Sequence, residues 1–213
     1  MSEPDLHAIA LAGGVDARIV ILPTAAAPDN NHNRAGGGGE RWFRSLGASR
    51  VEVVPVIDAK SANDPALAAR IATAKFIYLL GGFPRHLAET LLSSRVWRSA
   101  LEAQAGGAVI GGSSAGAMVL CEHYFDPEEG GVLGGLALLS NCCVIPHHNR
   151  NGRDWMEKLS QLLPRALLIG IDEQTGMLND DSGNWTVYGK GAVTLYRPPA
   201  KPSIYSPSEI FKL

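Results

Sequence analysis

The 213-residue chain is predicted to be an α/β protein: a three-layer sandwich with a mostly parallel central sheet, helices on both faces and an antiparallel hairpin near the C-terminus. Three observations predict it. Short continuous apolar runs recur along the chain, each stopped by glycine, proline or a polar pair, the pattern of strands buried on both faces. Segments with helical periodicity and capping signals lie between them. The run ending at Ile110 breaks into Gly112-Ser113-Ser114-Ala115-Gly116, a small-residue turn of the kind that joins a strand to a helix.

Arg18-Ile19-Val20-Ile21-Leu22 is the first strand, ended by Pro23 and Thr24. Residues 25–39, with clustered Asn and His and four glycines, read as surface loop. Glu40–Leu46 is helical and stops at Gly47. Val51–Val56 is a second strand, and Asp64-Pro65 opens a helix to Ala74, with Asp64 as cap and Pro65 at the first helical position. Phe76–Leu80 is a third strand, followed by Gly81-Gly82. Helices over Arg85–Leu92 and Val96–Ala105 lead to the strand Ala108–Ile110.

The second half repeats the alternation. Cys143–Ile145 is a strand ending at Pro146-His147-His148, Trp155–Leu163 an amphipathic helix, and Ala166–Ile171 a strand ending at Asp172-Glu173. Trp185–Tyr188 and Ala192–Tyr196 flank Gly189-Lys190-Gly191 and read as the hairpin. The proline-rich stretch from Pro198 reads as an extended, peripheral tail over residues 198–213. With no repeat and no linker, residues 1–213 read as one domain.

Composition excludes several classes of function. A net charge of -2 leaves no basic footprint for nucleic acid. No apolar run reaches the roughly 18 residues of a membrane span. Residues 1–6 lack a charged-then-apolar signal pattern, so a cytoplasmic protein is expected. Cys121, Cys142 and Cys143 are odd in number and include an adjacent pair, a poor disulfide framework. Cys142 and Cys143 are expected to pack as small buried hydrophobes. No Cys/His ligand spacing is present, so neither a metal nor a cofactor is expected.

Chemistry is expected at the turn. A nucleophile on a strand-to-helix elbow needs small neighbours, because the backbone is strained and closely approached. Ser114 stands at the centre of that pattern, and the next N–H, that of Ala115, points toward a developing oxyanion. Serine also needs a base, and the base an orienting acid. The strand ends supply His147 or His148 and Asp172 or Glu173, expected at the same sheet edge as Ser114. In this order the base precedes the acid, which counts against an α/β-hydrolase. Glu122, Asp126, Glu128 and Glu129 lie in a loop-like segment between Ser114 and His147 and are alternative acids.

The ordered set resembles the serine peptidase family of dipeptidase E and cyanophycinase. The resemblance is carried by Arg18–Ala25, Leu80-Gly81-Gly82, Gly112–Ala117, Pro146-His147-His148, Ile169–Thr175 and Val187–Val193. It implies a class I glutamine amidotransferase-like fold. It also implies Ser114 as nucleophile, His147 as general base, Glu173 as the acid that orients it, and the Gly82 and Ala115 N–H groups as the oxyanion hole. His148 stands where such proteins often have an aromatic residue. The implied activity is hydrolysis of a small peptide or isopeptide amide through an acyl-enzyme. The alternatives are a serine esterase or acyltransferase, or a non-catalytic ligand- or partner-binding member of the same fold. Two departures bear on substrate and assembly. Phe83-Pro84-Arg85 follows Gly82 where polar substrate-contacting residues are usual, which leaves Arg85, His148, Arg150 and Arg153 as substrate-binding candidates, the arginines as carboxylate clamps. A first strand before Ala8–Gly14 is not apparent, and the sheet edge this exposes predicts a homodimer.

Overall fold

The computed structural model describes residues 2–197 and 200–213. They form two compact units, one of residues 8–120 and one of residues 1–7 with 121–213. The chain opens with α1 (Ser2–Leu11), a helix whose first half belongs to the second unit and whose second half belongs to the first.

In the unit of residues 8–120, the apolar runs become the strands β1 (Arg18–Leu22), β2 (Arg50–Val53), β3 (Phe76–Leu79) and β4 (Val109–Gly112). They pair in parallel in the order β2-β1-β3-β4, and Ile19–Leu22 are fully buried. Each buried aliphatic side chain contributes about 1.5–3 kcal/mol, which is why continuous apolar runs select this central position. The chain moves outward from β1 to β2 on one side of the sheet and from β3 to β4 on the other. The loops after β1 and β3 therefore diverge at a topological switch point, where sheets of this kind hold ligands.

Residues 25–39 are not the expected surface loop. After a short 3₁₀ turn at Thr24–Ala26, α2 (His32–Ser45) runs through all four glycines. Glycine costs a helix up to about 1 kcal/mol per residue, but here close packing requires it. A Cβ at Gly36 would lie 2.7 Å from Val53 Cγ1, and one at Gly39 would lie 3.2 Å from Ile21 Cδ1. The helix thus lies directly on the sheet, and Phe43 meets Phe76 and Tyr78 edge-on at 5.5 and 5.0 Å.

α3 (Ala59–Ala62) and α4 (Pro65–Ala72) follow β2. The Asp64 carboxylate accepts from the Ala66 and Leu67 N–H groups at 2.7 and 3.3 Å, as its cap position requires. α5 (Pro84–Leu91) and α6 (Arg95–Ala105) occupy the expected segments, and α7 (Ala115–Val119) springs from the turn after β4.

In the other unit, β5 (His123–Asp126) and β6 (Gly131–Gly134) form a hairpin in the segment read as loop. The parallel pair β7 (Cys142–Ile145) and β8 (Leu167–Ile171) is separated by a π-helical turn (His148–Gly152) and α8 (Arg153–Leu162). Phe125, Cys143, Ile145, Leu159 and Leu168 form a core here, with Trp155 and Tyr196 packed against it. The strands β7 and β8 lie in a sheet hydrogen-bonded separately from the one that contains β4. Antiparallel neighbours complete this second sheet.

The hairpin is also reassigned. β9 (Thr175–Asn179) pairs with β10 (Trp185–Gly189), whereas β11 (Val193–Tyr196) pairs antiparallel with β8. The Asp180 carboxylate organises the real turn, accepting from the Ser182 and Asn184 N–H groups at 2.9 Å each. Gly189 is at φ +113, where a side chain would strike the Gln174 carbonyl, so Gly189-Lys190-Gly191 carries the chain from one sheet to the next. The tail beyond the undescribed Pro198 and Pro199 is extended but not loose. β12 (Ser203–Tyr205) pairs with β11, and β13 (Ile210–Phe211) pairs with β10, burying Phe211. The start of α1 seals this layer: Glu3 accepts from the Gly189 N–H at 3.0 Å, and His7 stacks on Tyr188 at 4.0 Å.

Candidate active site

Ser114 sits at the helix start with φ +51 and ψ −119, a conformation that L-residues rarely adopt and that turns strained for function use. The glycines around it are required by contact. A Cβ at Gly112 would lie 2.7 Å from the Gly116 carbonyl carbon, and one at Gly116 would strike the Leu79 carbonyl. β4 and α7 are thus folded against each other and against the end of β3. The Ser113 N–H donates to Leu79 O at 3.1 Å, the Gly116 N–H to Ser113 O at 2.9 Å and the Met118 N–H to Ser114 O at 3.0 Å. Ser114 is half-buried, whereas Ala115 is buried.

The loop after β3 closes on this turn. The Cβ position of Gly81 is 3.6 Å from Ser114 Oγ. Gly82 has φ +144, with its Cβ position on the Ala25 carbonyl, and the Phe83 N–H donates to that carbonyl at 2.8 Å. Two diverging loops, after β1 and β3, therefore meet at the switch point with the serine turn beside them. Gly82, Ser114 and Ala115 belong to one unit. Arg85, in the same unit, begins α5 and pairs with Glu89 one turn on, at 3.2 Å.

His147, His148, Arg150, Asp172 and Glu173 belong to the other unit. There the ends of β7 and β8 are cross-linked residue by residue. His147 is at φ +51, and its Nδ1 lies 3.2 Å from Glu173 Oε1. A carboxylate only accepts, so Nδ1 carries the proton and Nε2 is left as the basic nitrogen. Half of the His147 side chain is exposed. Arg150 reaches the same Glu173 oxygen at 3.3 Å, and the Glu173 N–H donates to Asn149 Oδ1 at 3.0 Å.

His148 has a different setting. Its ring is buried, with Nδ1 3.3 Å from Asp172 Oδ1 and Nε2 2.7 Å from the Tyr196 hydroxyl. Asp172 also accepts from the Ala192 N–H at 3.0 Å. Both ring nitrogens of His148 are engaged inside the protein, which corrects its reading as a substrate contact. Tyr196 was not singled out in the sequence; Gly170 was the available signal, because a Cβ there would lie 2.5 Å from His148 Cδ2. The Arg153 side chain lies outside the described residues.

Asp126 is buried in β5, and its carboxylate accepts from the Glu128 N–H at 3.0 Å. All three cysteines are buried. Burial pushes the Cys143 thiol up to about 12, so it holds its proton and is no nucleophile. Among the described residues no group of three or more His, Cys, Asp or Glu side chains is placed to hold a metal ion. No helix among them is long and apolar enough to cross a membrane.

Known proteins resemble the chain over most of its length. A cyanophycinase of Synechococcus elongatus is 30% identical over 208 residues, covering 88% of this chain and 61% of its own. One from Trichormus variabilis is 29% identical over 198 residues, covering 88% of this chain and 65% of its own. The chain thus spans less than two thirds of the length of these relatives. Among solved structures, a peptidase from an acI-B1 Actinobacterium superposes with a TM-score of 0.82 at 26% identity, covering 98% of this chain and 89% of its own. A putative peptidase E protein from Listeria monocytogenes EGD-e shares the fold, with a TM-score of 0.59 at 16% identity over 94% of this chain and 91% of its own. The profile of peptidase family S51 matches residues 5–184, and on that extent the chain belongs to peptidase family S51.

Proposed function

We propose that the chain is a serine peptidase that hydrolyses a small peptide or isopeptide amide, the class of bond implied by its likeness to cyanophycinases and to dipeptidase E. The observation that carries this reading is the strained Ser114 turn with φ +51, flanked by glycines that tolerate no side chain. A peptide that only joins a strand to a helix has no need of that strain.

In this reading Ser114 Oγ attacks the amide carbonyl carbon while His147 Nε2 takes its proton. The Glu173 carboxylate holds the imidazole by Nδ1 and stabilises the imidazolium that forms. The Gly82 and Ala115 N–H groups receive the oxyanion. His147 then returns the proton to the leaving amine, which departs as the acyl-enzyme forms. Water, deprotonated by the same nitrogen, releases the acid and restores Ser114. Arg85, partly exposed and paired with Glu89, and Arg150, largely exposed and paired with Glu173, are the substrate-carboxylate candidates.

The test is hydrolysis of a panel of N-terminal aspartyl and β-aspartyl dipeptides by the purified full chain and by Ser114→Ala, beside matched esters. Turnover of an amide that is lost in Ser114→Ala supports the reading. Undiminished amide turnover in that variant overturns it, and turnover of esters alone favours the esterase alternative.

A further inference from the structure

We infer that His148, Asp172 and Tyr196 form a hydrogen-bonded clamp around a buried ring that positions His147, so that two parallel His–carboxylate pairs serve one base. This rests on the reading of His147 as the base, and it gives roles to three residues for which that reading has no use.

His147 and His148 are adjacent at the end of β7, and Asp172 and Glu173 are adjacent at the end of β8. The outer pair, His147 with Glu173 at 3.2 Å, is half-exposed. The inner pair, His148 with Asp172 at 3.3 Å, joins a buried imidazole to a partly buried carboxylate. The inner ring is tied at both of its nitrogens: Tyr196 O–H donates to Nε2 at 2.7 Å, Nδ1–H donates to Asp172, and Asp172 accepts from the Ala192 N–H at 3.0 Å. Three chain segments, the ends of β7 and β8 and the strand β11, are joined through one ring.

The backbone shows why a clamp is needed. His147 is held at φ +51, a conformation that costs of order 1–3 kcal/mol outside glycine and persists only where the surroundings over-determine it. The buried His148 ring on one side and Pro146 on the other fix the residue between them. The Asn149 side chain, which accepts from the Glu173 N–H at 3.0 Å, fixes the acid in the same way. Space for the clamp is reserved in the sequence. Gly170 admits the His148 ring, and Gly191, whose Cβ position is 2.5 Å from Asp172 Cβ, admits the carboxylate. A ring that only filled volume would need neither the hydroxyl of Tyr196 nor the carboxylate of Asp172.

The test uses a fluorophosphonate probe, whose rate of attachment to Ser114 reports the serine–base step without knowledge of the substrate. Rates are measured against pH for the purified full chain and for His148→Phe, Tyr196→Phe and His147→Ala. His148→Phe keeps the ring and loses both hydrogen bonds, so its rate should fall about 10–100-fold, the scale of a misplaced catalytic group. Its pH midpoint should also move, because the Glu173 and Arg150 charges beside His147 are displaced relative to the ring while Asp172 loses its partner. Tyr196→Phe, which removes one bond, should show the same shift at smaller size and serves if His148→Phe fails to fold. A His148→Phe or Tyr196→Phe protein with unchanged rate and midpoint, while His147→Ala is inactive, overturns the clamp alone. A His147→Ala protein that labels at the unmodified rate overturns the base assignment and the clamp with it.

Discussion

Gly81 stands against Ser114 so closely that a Cβ at Gly81 would lie 3.0 Å from the Ser114 Cβ and 3.6 Å from its hydroxyl oxygen. The loop after β3 therefore forms one wall around the serine, and a side chain at position 81 would press on the Ser114 Cβ. Gly81→Val is expected to slow phosphonate labelling of Ser114 by about 10²-fold or more, as a catalytic atom displaced by about 1 Å does. The melting temperature should change little, because Gly81 is only partly buried. Labelling by mass spectrometry and thermal unfolding of the same samples check both statements.

The two carboxylates at the end of β8 should separate in kinetics. Glu173→Gln replaces the acceptor facing His147 Nδ1 with a group able to donate, which favours the wrong tautomer. Amide hydrolysis should fall by roughly 10²–10⁴-fold in kcat with KM little changed. Arg150→Ala, which removes a largely exposed partner of the same carboxylate, should leave kcat within about threefold, as exposed ion pairs do. Steady-state kinetics on one dipeptide substrate decides both.

The glycine run of α2 should split by position. A Cβ at Gly38 would meet nothing within 4 Å, so Gly38→Ala should stabilise the protein by about 0.5–1 kcal/mol through helix propensity alone. Gly36→Ala would place its methyl 2.7 Å from Val53 Cγ1 and should destabilise by about 1–3 kcal/mol. Urea unfolding followed by circular dichroism measures the two against the unmodified chain.

Acid should weaken the β1–β2 side of the sheet through Glu52. Partial burial raises its affinity for a proton, but hydrogen bonds from Arg18 and Arg70 outweigh this and hold the carboxyl below its ordinary 4.5. A depressed folded-state value means the stabilisation is fully present above about pH 4.5 and is lost as pH falls through the lower folded value. Glu52→Gln should therefore lower the melting temperature near neutral pH and flatten its decline below pH 4.5. A parallel decline in both proteins would assign the acid sensitivity to other carboxylates.

Where the sequence was legible, a local signal and a tertiary contact agreed. Asp64-Pro65 predicts a capped helix, and the cap is made. Gly112–Gly116 predicts a strained turn, and Ser114 has the positive φ. Where it was not, a distant contact overrode the local signal. The glycines of α2 read as loop because their helix propensity is poor, and they are helical because Ile21 and Val53 leave no room for a side chain. Gly189-Lys190-Gly191 reads as a hairpin turn, yet it packs over Gln174 and Asp172 and delivers β11 to β8. Gly170, silent as a strand residue, makes space for the ring of His148.

The sequence by itself determined the parallel strands of the first unit, the serine turn, and the presence of two histidines and two carboxylates at strand ends. These follow from apolar runs, small-residue spacing and chain order, which are local properties. The resemblance in sequence pairs His147 with Glu173, and only the tertiary structure decided how the two histidines are set, with His147 facing Glu173 in partial solvent and His148 buried between Asp172 and Tyr196. The physical reason is that adjacent residues of the same type look alike in the chain, and burial, which distinguishes them, is set by segments far away: β8 with its Gly170 and β11 with its Tyr196.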